Sequence, residues 1–180
     1  MSDSDKAPIK TALFDLHVSQ GGRMVDFAGY SLPVQFEGLM AEHQHTREVA
    51  SLFDVSHMGQ ITVSGNDDLS TLSALETLFP ANLKNLKPGG MRYTVLLNEN
   101  GGIEDDLIVT RPAEGQAPNG TVFIVVNAAR KDHDLAIMQA ALGTQLDFKL
   151  HQEKSLLALQ GPKAATVLAN LCDAPHQLSF

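Results

Sequence analysis

The stretch Asn98-Glu99-Asn100-Gly101-Gly102-Ile103-Glu104-Asp105-Asp106-Leu107-Ile108-Val109 decides how the chain is read. It is a strand end, a tight polar turn, and a second strand that begins with acids. Asn100-Gly101-Gly102 supplies residues that tolerate positive φ, as a short hairpin turn demands. The flanking runs, Tyr93 to Leu97 and Leu107 to Thr110, are apolar at successive positions, so both strands are expected to be buried. Carboxylates entering a buried strand are costly unless paired or used. Strand alternation places Asp105 with Ile103 and Leu107, and Asp106 with Glu104 and Ile108, so one aspartate must face inward. Two readings stand side by side: a salt bridge or cap to turn amides, or a pocket carboxylate that handles protons.

Working outward, the pattern after Gly59 is regular. Gln60–Val63 reads as a strand, and Asn66 or Asp67 can cap a helix with Leu69, Leu72, Leu75, Leu78 and Phe79 as its apolar stripe, closed by Pro80. After the hairpin, residues 112–120 read as an exposed loop and Val122–Val126 as a third strand. A helix begining at Asn127 or a neighbour carries Leu135, Met138 and Leu142 and ends at Gly143, before a strand over Leu146–Leu150. The order β-α-β-β-β-α-β becomes β-α-β-β-α-β, the ferredoxin-like arrangement, when one strand is set aside.

The rest looks like pieces of another domain. Residues 1–9 read as a disordered lead-in, residues 13–17 as a short helix ending at Gly21-Gly22, and Arg23–Tyr30 as a strand running into a loop. A helix is expected from Gly38 to about Leu52, then an irregular Asp54–Gly59. Ser155–Leu159 reads as a strand, and Gly161-Pro162 opens a helix through Leu171. The expected fold is α+β: a ferredoxin-like antiparallel subdomain over 58–151 inserted into a discontinuous, incomplete domain made of 1–57 and 152–180. The chain stops at Gln177-Leu178-Ser179-Phe180 without a polar tail and reads as incomplete.

Bulk composition narrows the function. Thirteen basic against 21 acidic residues give a net charge of −8, with no Lys/Arg run, which argues against nucleic acid or an anionic membrane as partner. An anionic ligand would need a basic patch that is either local, from Arg23, Arg92, Arg130 and Lys131, or supplied by the half expected to be missing. The polar opening Met1–Lys6 has neither signal-peptide nor transit-peptide character, and no apolar run approaches the roughly 20 residues of a membrane span, so a cytoplasmic location is expected. Cys172 is single, which excludes an internal disulfide, and is expected to be a small apolar residue on a helix. His43 and His45 point apart on a helix and form no metal pair, so no metal is expected. His57 has two readings, a structural post or a pocket lining. No phosphate-cradling loop and no Gly-x-Ser-x-Gly elbow is present.

Three blocks resemble one family: Gly22–Tyr30 (Gly-Arg-Met-Val-Asp-Phe-Ala-Gly-Tyr), Leu52–Gly59 with Asp-Val-Ser-His-Met, and Asn98–Val109. Val125-Val126-Asn127-Ala128-Ala129 and Leu159-Gln160-Gly161-Pro162 add to them. Together they resemble the N-terminal half of the aminomethyltransferase, or T-protein, of the glycine cleavage system. The resemblance implies a tetrahydrofolate-dependent transfer of the methylene carbon from the aminomethyl-lipoyl arm of the H-protein, with release of ammonia. It implies Asp106 as the catalytic carboxylate and Asp105 as its structural neighbour. It also implies Met58, Tyr93, Asn127 and Thr62 around the folate, although relatives often carry an apolar residue where Thr62 stands. A discontinuous first domain around a ferredoxin-like insert is the family arrangement. These 180 residues alone are expected to bind folate poorly and catalyse little. The alternatives within the superfamily are a non-catalytic folate-binding module of the iron–sulfur assembly type, and the folate domain of a dimethylglycine or sarcosine demethylating enzyme. The intact Asp105-Asp106 pair and the Asp-Val-Ser-His-Met block favour the transferase.

Overall fold

The computed structural model describes residues 7–173 and is a mixed α+β fold with several sheets. Contacts divide the chain into two compact units, Met1–His57 with Ser155–Phe180, and Met58–Lys154.

The second unit carries the opening stretch. Its strands are β5 (Gly59–Ser64), β6 (Met91–Leu97), β7 (Ile103–Thr110), β8 (Thr121–Val126) and β9 (Asp147–His151), in the order β6-β7-β8-β5-β9 with every neighbour antiparallel. Helices α3 (Asp68–Leu75) and α4 (Lys131–Leu142) supply Leu72, Leu75, Met138 and Leu142 to one core. Ile61, Val63, Leu96, Leu107, Val109, Val122, Ile124 and Val126 meet them from the sheet. Each such fully buried side chain contributes about 1.5–3 kcal/mol of transfer free energy. Asp67 caps α3 by accepting from Ser70 N at 2.9 Å.

The first unit holds β1 (Ile9–Lys10), α1 (Phe14–Ser19), β2 (Met24–Phe27), β3 (Tyr30–Pro33), α2 (Leu39–Glu48), β4 (Ser51–Asp54), β10 (Leu157–Gln160) and α5 (Ala164–Leu168). Its sheets are β1-β3-β2 and β10-β4. Ala28 (φ 52) and Gly29 (φ 79) make the two-residue turn between β2 and β3, with both φ values positive, as a twisted hairpin requires.

Several sequence expectations need correction. The hairpin strands are not buried on both faces: Met91 is 62% and Tyr93 67% exposed. Ile9 is not disordered lead-in but pairs in parallel with Tyr30, as Lys10 does with Ser31. The second helix stops at Glu48, because Ser51–Asp54 is drawn into a ladder with Leu157–Gln160. Arg23–Tyr30 does hold a strand, Met24–Phe27, running into a turn, but the turn is that of a hairpin whose second arm begins at Tyr30. Leu69 is 61% exposed and outside the stripe of α3, which ends at Leu75. Helix α4 starts at Lys131, not Asn127, whose amide is engaged elsewhere. The last helix ends at Leu168, so Cys172 lies beyond it and is exposed rather than buried. Most of these differences come from partners distant in sequence, which periodicity does not register. The chain end at Gln177–Phe180 lies outside the described residues.

Candidate active site

Register decides what each acid of the hairpin meets. Leu96 pairs with Asp105, but Leu97 pairs with Ile103, so Glu104 is the extra residue of a β-bulge. Beyond the bulge, alternation is regular: Asp105 shares the helix-side face with buried Leu107 and Val109, and Asp106 lies on the opposite face. Glu104 breaks the expected alternation with Asp106. It pairs with Arg130 Nη2 (3.0 Å) and His133 Nε2 (3.2 Å) at the start of α4 and accepts from Asn98 Nδ2 (2.9 Å). The hydrogen bonds from Asn98, first, and from His133 hold the Glu104 carboxyl below its usual range. The turn closes through Asn98 N to Gly102 O, with Gly101 at φ 77 and Asn98 Oδ1 accepting from Asn100 N and Gly102 N.

On the face away from the helices, Tyr93 Oη donates to Asp106 Oδ2 at 2.9 Å. Asn127 Nδ2 donates to Asp106 Oδ1 at 3.1 Å, so each carboxylate oxygen has one donor. The same amide nitrogen lies 3.1 Å from Asp106 O and 3.0 Å from Asp105 Oδ1, tying both aspartates to the residue after β8. The bond to Asp106 raises the Tyr93 phenol above its ordinary pKa, because ionising it would leave two anions in contact.

Asp105 and Asp134 form a second acidic pair on the helix side. Asp134 is fully buried in the first turn of α4. Burial first, then the bond and charge of Asp105, push its carboxyl up to about 7. Burial also opposes ionisation of Asp105, yet donation from Asn127 and from Asp134 holds it below the usual range.

Of the residues singled out by sequence, Asp106, Tyr93 and Asn127 are joined by hydrogen bonds. Met58 immediately precedes Gly59, which pairs with Val126, so Met58 and Asn127 stand at the same end of neighbouring strands. Gly59 permits that pairing: a Cβ there would sit 2.6 Å from Val126 Cγ2 and 2.7 Å from Lys131 Cβ. Thr62 is on the Asp106 face but two strands away, and its hydroxyl is engaged with His151 Nε2 at 2.7 Å. His151 Nδ1 in turn lies 3.1 Å from Glu153 Oε1. Arg130, one of the possible basic-patch residues, is committed to Glu104. Among the described residues no group of three or more His, Cys, Asp or Glu is arranged to hold a metal ion.

The Asp-Val-Ser-His-Met block has a structural content that the sequence did not reveal. Asp54 accepts from Thr11 Oγ1 (2.7 Å), His17 Nε2 (2.9 Å) and Ser56 N (3.0 Å). Burial pushes its carboxyl up, but the donors Ser56, His17 and Thr11 outweigh it and bring the pKa to about 2. Ser56 bridges to the Leu156 backbone, and the His57 ring packs edge-on to Phe27 with centroids 5.5 Å apart. Sequence reasoning missed Asp134. Its spacing from Met138 and Leu142 put it on the apolar stripe of α4, and a lone acid in such a stripe was the available clue.

A family model described as the GCVT N-terminal domain matches residues 13–179. The aminomethyltransferase of Bacillus subtilis (strain 168) is 44% identical over 167 residues, covering 92% of this chain and 44% of that protein. The mitochondrial aminomethyltransferase of Solanum tuberosum is 42% identical over 177 residues, covering 94% and 41%. The crystal structure of glycine cleavage system aminomethyltransferase T from Bartonella henselae superposes with a TM-score of 0.79 at 39% identity, covering 89% of this chain and 43% of that one. This chain therefore spans less than half the length of these relatives. With the acid-bearing hairpin, its bulge and the blocks around it all inside the matched residues, the chain belongs to the GCVT N-terminal domain family.

Proposed function

We propose that this chain is the folate-holding N-terminal part of an aminomethyltransferase that moves the methylene carbon from the aminomethyl-lipoyl H-protein to tetrahydrofolate and releases ammonia. The observation that carries the reading is the Asp106 carboxylate, gripped at Oδ2 by Tyr93 and at Oδ1 by Asn127. It lies on a sheet face that also presents Tyr93, Val95, Ile108, Val125 and Phe123, with Gln60 and Thr62 farther across it. Tyr93 and Phe123 are 67% and 37% exposed there. A flat heteroaromatic ring wants apolar and aromatic walls with a few fixed polar groups, and this face offers both. Tetrahydrofolate supplies the amine nitrogen that takes up the carbon. Asp106 orients that nitrogen and exchanges its proton, a role that needs a carboxylate whose position is held before substrate arrives. Tyr93 and Asn127 hold Asp106, while Met58 and Thr62 are assigned to the surrounding walls.

The same reading takes residues 58–151 as a ferredoxin-like domain inserted into a first domain made of 1–57 and 152–180. What supports it is the strand order: with β6 set aside, β7-β8-β5-β9 together with α3 and α4 has the β-α-β-β-α-β order. A cytoplasmic location goes with the reading, and among the described residues no helix is long and apolar enough to cross a membrane.

The test is Asp106→Asn in a protein of full family length carrying this chain, assayed for methylene transfer from aminomethyl-loaded H-protein to tetrahydrofolate. Transfer is expected to fall by roughly 10²–10⁴-fold, the usual worth of a positioned proton-transfer group, with tetrahydrofolate still bound. Unchanged transfer would remove Asp106 from the mechanism.

A further inference from the structure

The helix-side face of the sheet holds a group that the proposed function does not use. Asp134 is 0% exposed, and neither of its carboxyl oxygens meets a donor in the structure. Its side chain lies within hydrogen-bonding reach of Asp105, whose Oδ2 is likewise buried without a donor. Arg130 does not resolve this, because its Nη2 serves Glu104 and its buried Nε meets no acceptor. Two ionised carboxylates here would bury three oxygens without donors and set like charges against each other. A single proton between the two carboxyls removes the repulsion and gives Asp105 Oδ2 a donor, since a protonated carboxyl is a donor and an ionised one an acceptor.

We infer that Asp134 is a positioning residue: it keeps its proton and donates it to Asp105 Oδ2, so that Asp105 stays ionised to anchor Asn127, which in turn holds Asp106. The contacts run from Asp134 through Asp105, Asn127 and Asp106 to the Tyr93 hydroxyl. The proton belongs on Asp134 because Asp105 already accepts from Asn127 at Oδ1, whereas Asp134 has no other partner. The charged groups facing Asp134 are Asp105 and Glu104 from β7 and Arg130 from the turn before α4. Arg130 favours the charged form and Glu104 opposes it, which leaves burial and Asp105 to decide. Loss of the proton near neutral pH places a second charge beside Asp105 and loosens the anchor of Asn127. Only the bearing of this device on folate chemistry rests on the proposed function; the shared proton does not.

Carboxyl-carbon NMR of the 180-residue chain with labelled aspartate tests it, with Asp134 assigned through its own Cα–Cβ–Cγ correlations and the Asn127 side-chain amide followed in parallel. The expected result is an Asp134 carboxyl titrating with a midpoint about 7 and Asn127 amide protons moving with the same midpoint. In Asp134→Asn, whose amide still donates, the Asn127 resonances keep their low-pH positions and lose that pH dependence. In Asp134→Leu they are displaced at every pH. A midpoint in the ordinary aspartate range, or a high midpoint that Asn127 does not follow, overturns the proposal. The wild-type titration decides even where a variant fails to fold. No folate enters these measurements, so a failure here is distinct from a failure of the methylene-transfer test.

Discussion

Tyr93 and Asp106 are diagonal neighbours on β6 and β7, and their 2.9 Å hydrogen bond crosses the sheet face away from α3 and α4. Tyr93 pairs with Ile108 and Asp106 with Val95, so the contact depends on the register that the bulge at Glu104 sets. Its first consequence is spectroscopic. Asp106→Asn is expected to lower the pKa of Tyr93, since the anionic neighbour that raises it is gone. Tyr30 is the only other tyrosine of the chain, so ultraviolet phenolate titration of a Tyr30→Phe background reads Tyr93 alone. An unchanged titration would mean the bond is not formed in solution.

Asn127→Leu removes the donor that serves Asp105 and Asp106 together. A hydrogen bond to a charged group is worth about 1.5–3 kcal/mol, so under the proposed function methylene transfer by a protein of full family length carrying this chain is expected to drop by roughly 10–150-fold. Steady-state assays that show the loss in kcat more than in KM support a role in holding Asp106.

Asp54 makes stability pH-dependent in the acid range. Its folded pKa of about 2 lies below the ordinary 3.8, so its stabilisation is fully present above about pH 4 and is lost as pH falls through about 2. The amount is ~2 kcal/mol. Urea denaturation at neutral pH and near pH 2 should show a smaller acid loss in Asp54→Asn, which is itself less stable at neutral pH.

Gly59→Ala is expected to destabilise the chain by about 1–3 kcal/mol, because its methyl group meets Val126 and Lys131 at contact distances that packed atoms do not tolerate. Relief of that clash moves the start of β5 against β8, next to Met58 and Asn127. Thermal unfolding measures the first effect, and amide chemical shifts of Asn127 the second.

Ala28 runs the other way. A non-glycine residue at φ 52 carries a left-handed backbone cost of about 1–2 kcal/mol. Ala28→Asn keeps the turn and relieves part of that cost, so a rise in the unfolding midpoint worth about 0.5–1 kcal/mol is expected. A lower midpoint would show that the alanine methyl is needed where it is.

Much of this molecule is legible in the chain alone. The order of strands and helices from Gly59 to His151, the turn at Asn100-Gly101-Gly102 and the cap at Asp67 follow from local preferences, which neighbouring residues dictate through dihedral angles and period. Alternation alone shows that Asp105 and Asp106 lie on opposite faces. Tertiary structure decides which partners they meet. The bulge that turns Glu104 toward Arg130 and His133, the reach of Asn127 to both aspartates, and the burial of Asp134 against Asp105 all join residues more than 20 positions apart. Pairings of that kind leave no period in the sequence, because a carboxylate's state is set by the donors and charges that folding brings to it and not by its neighbours along the chain.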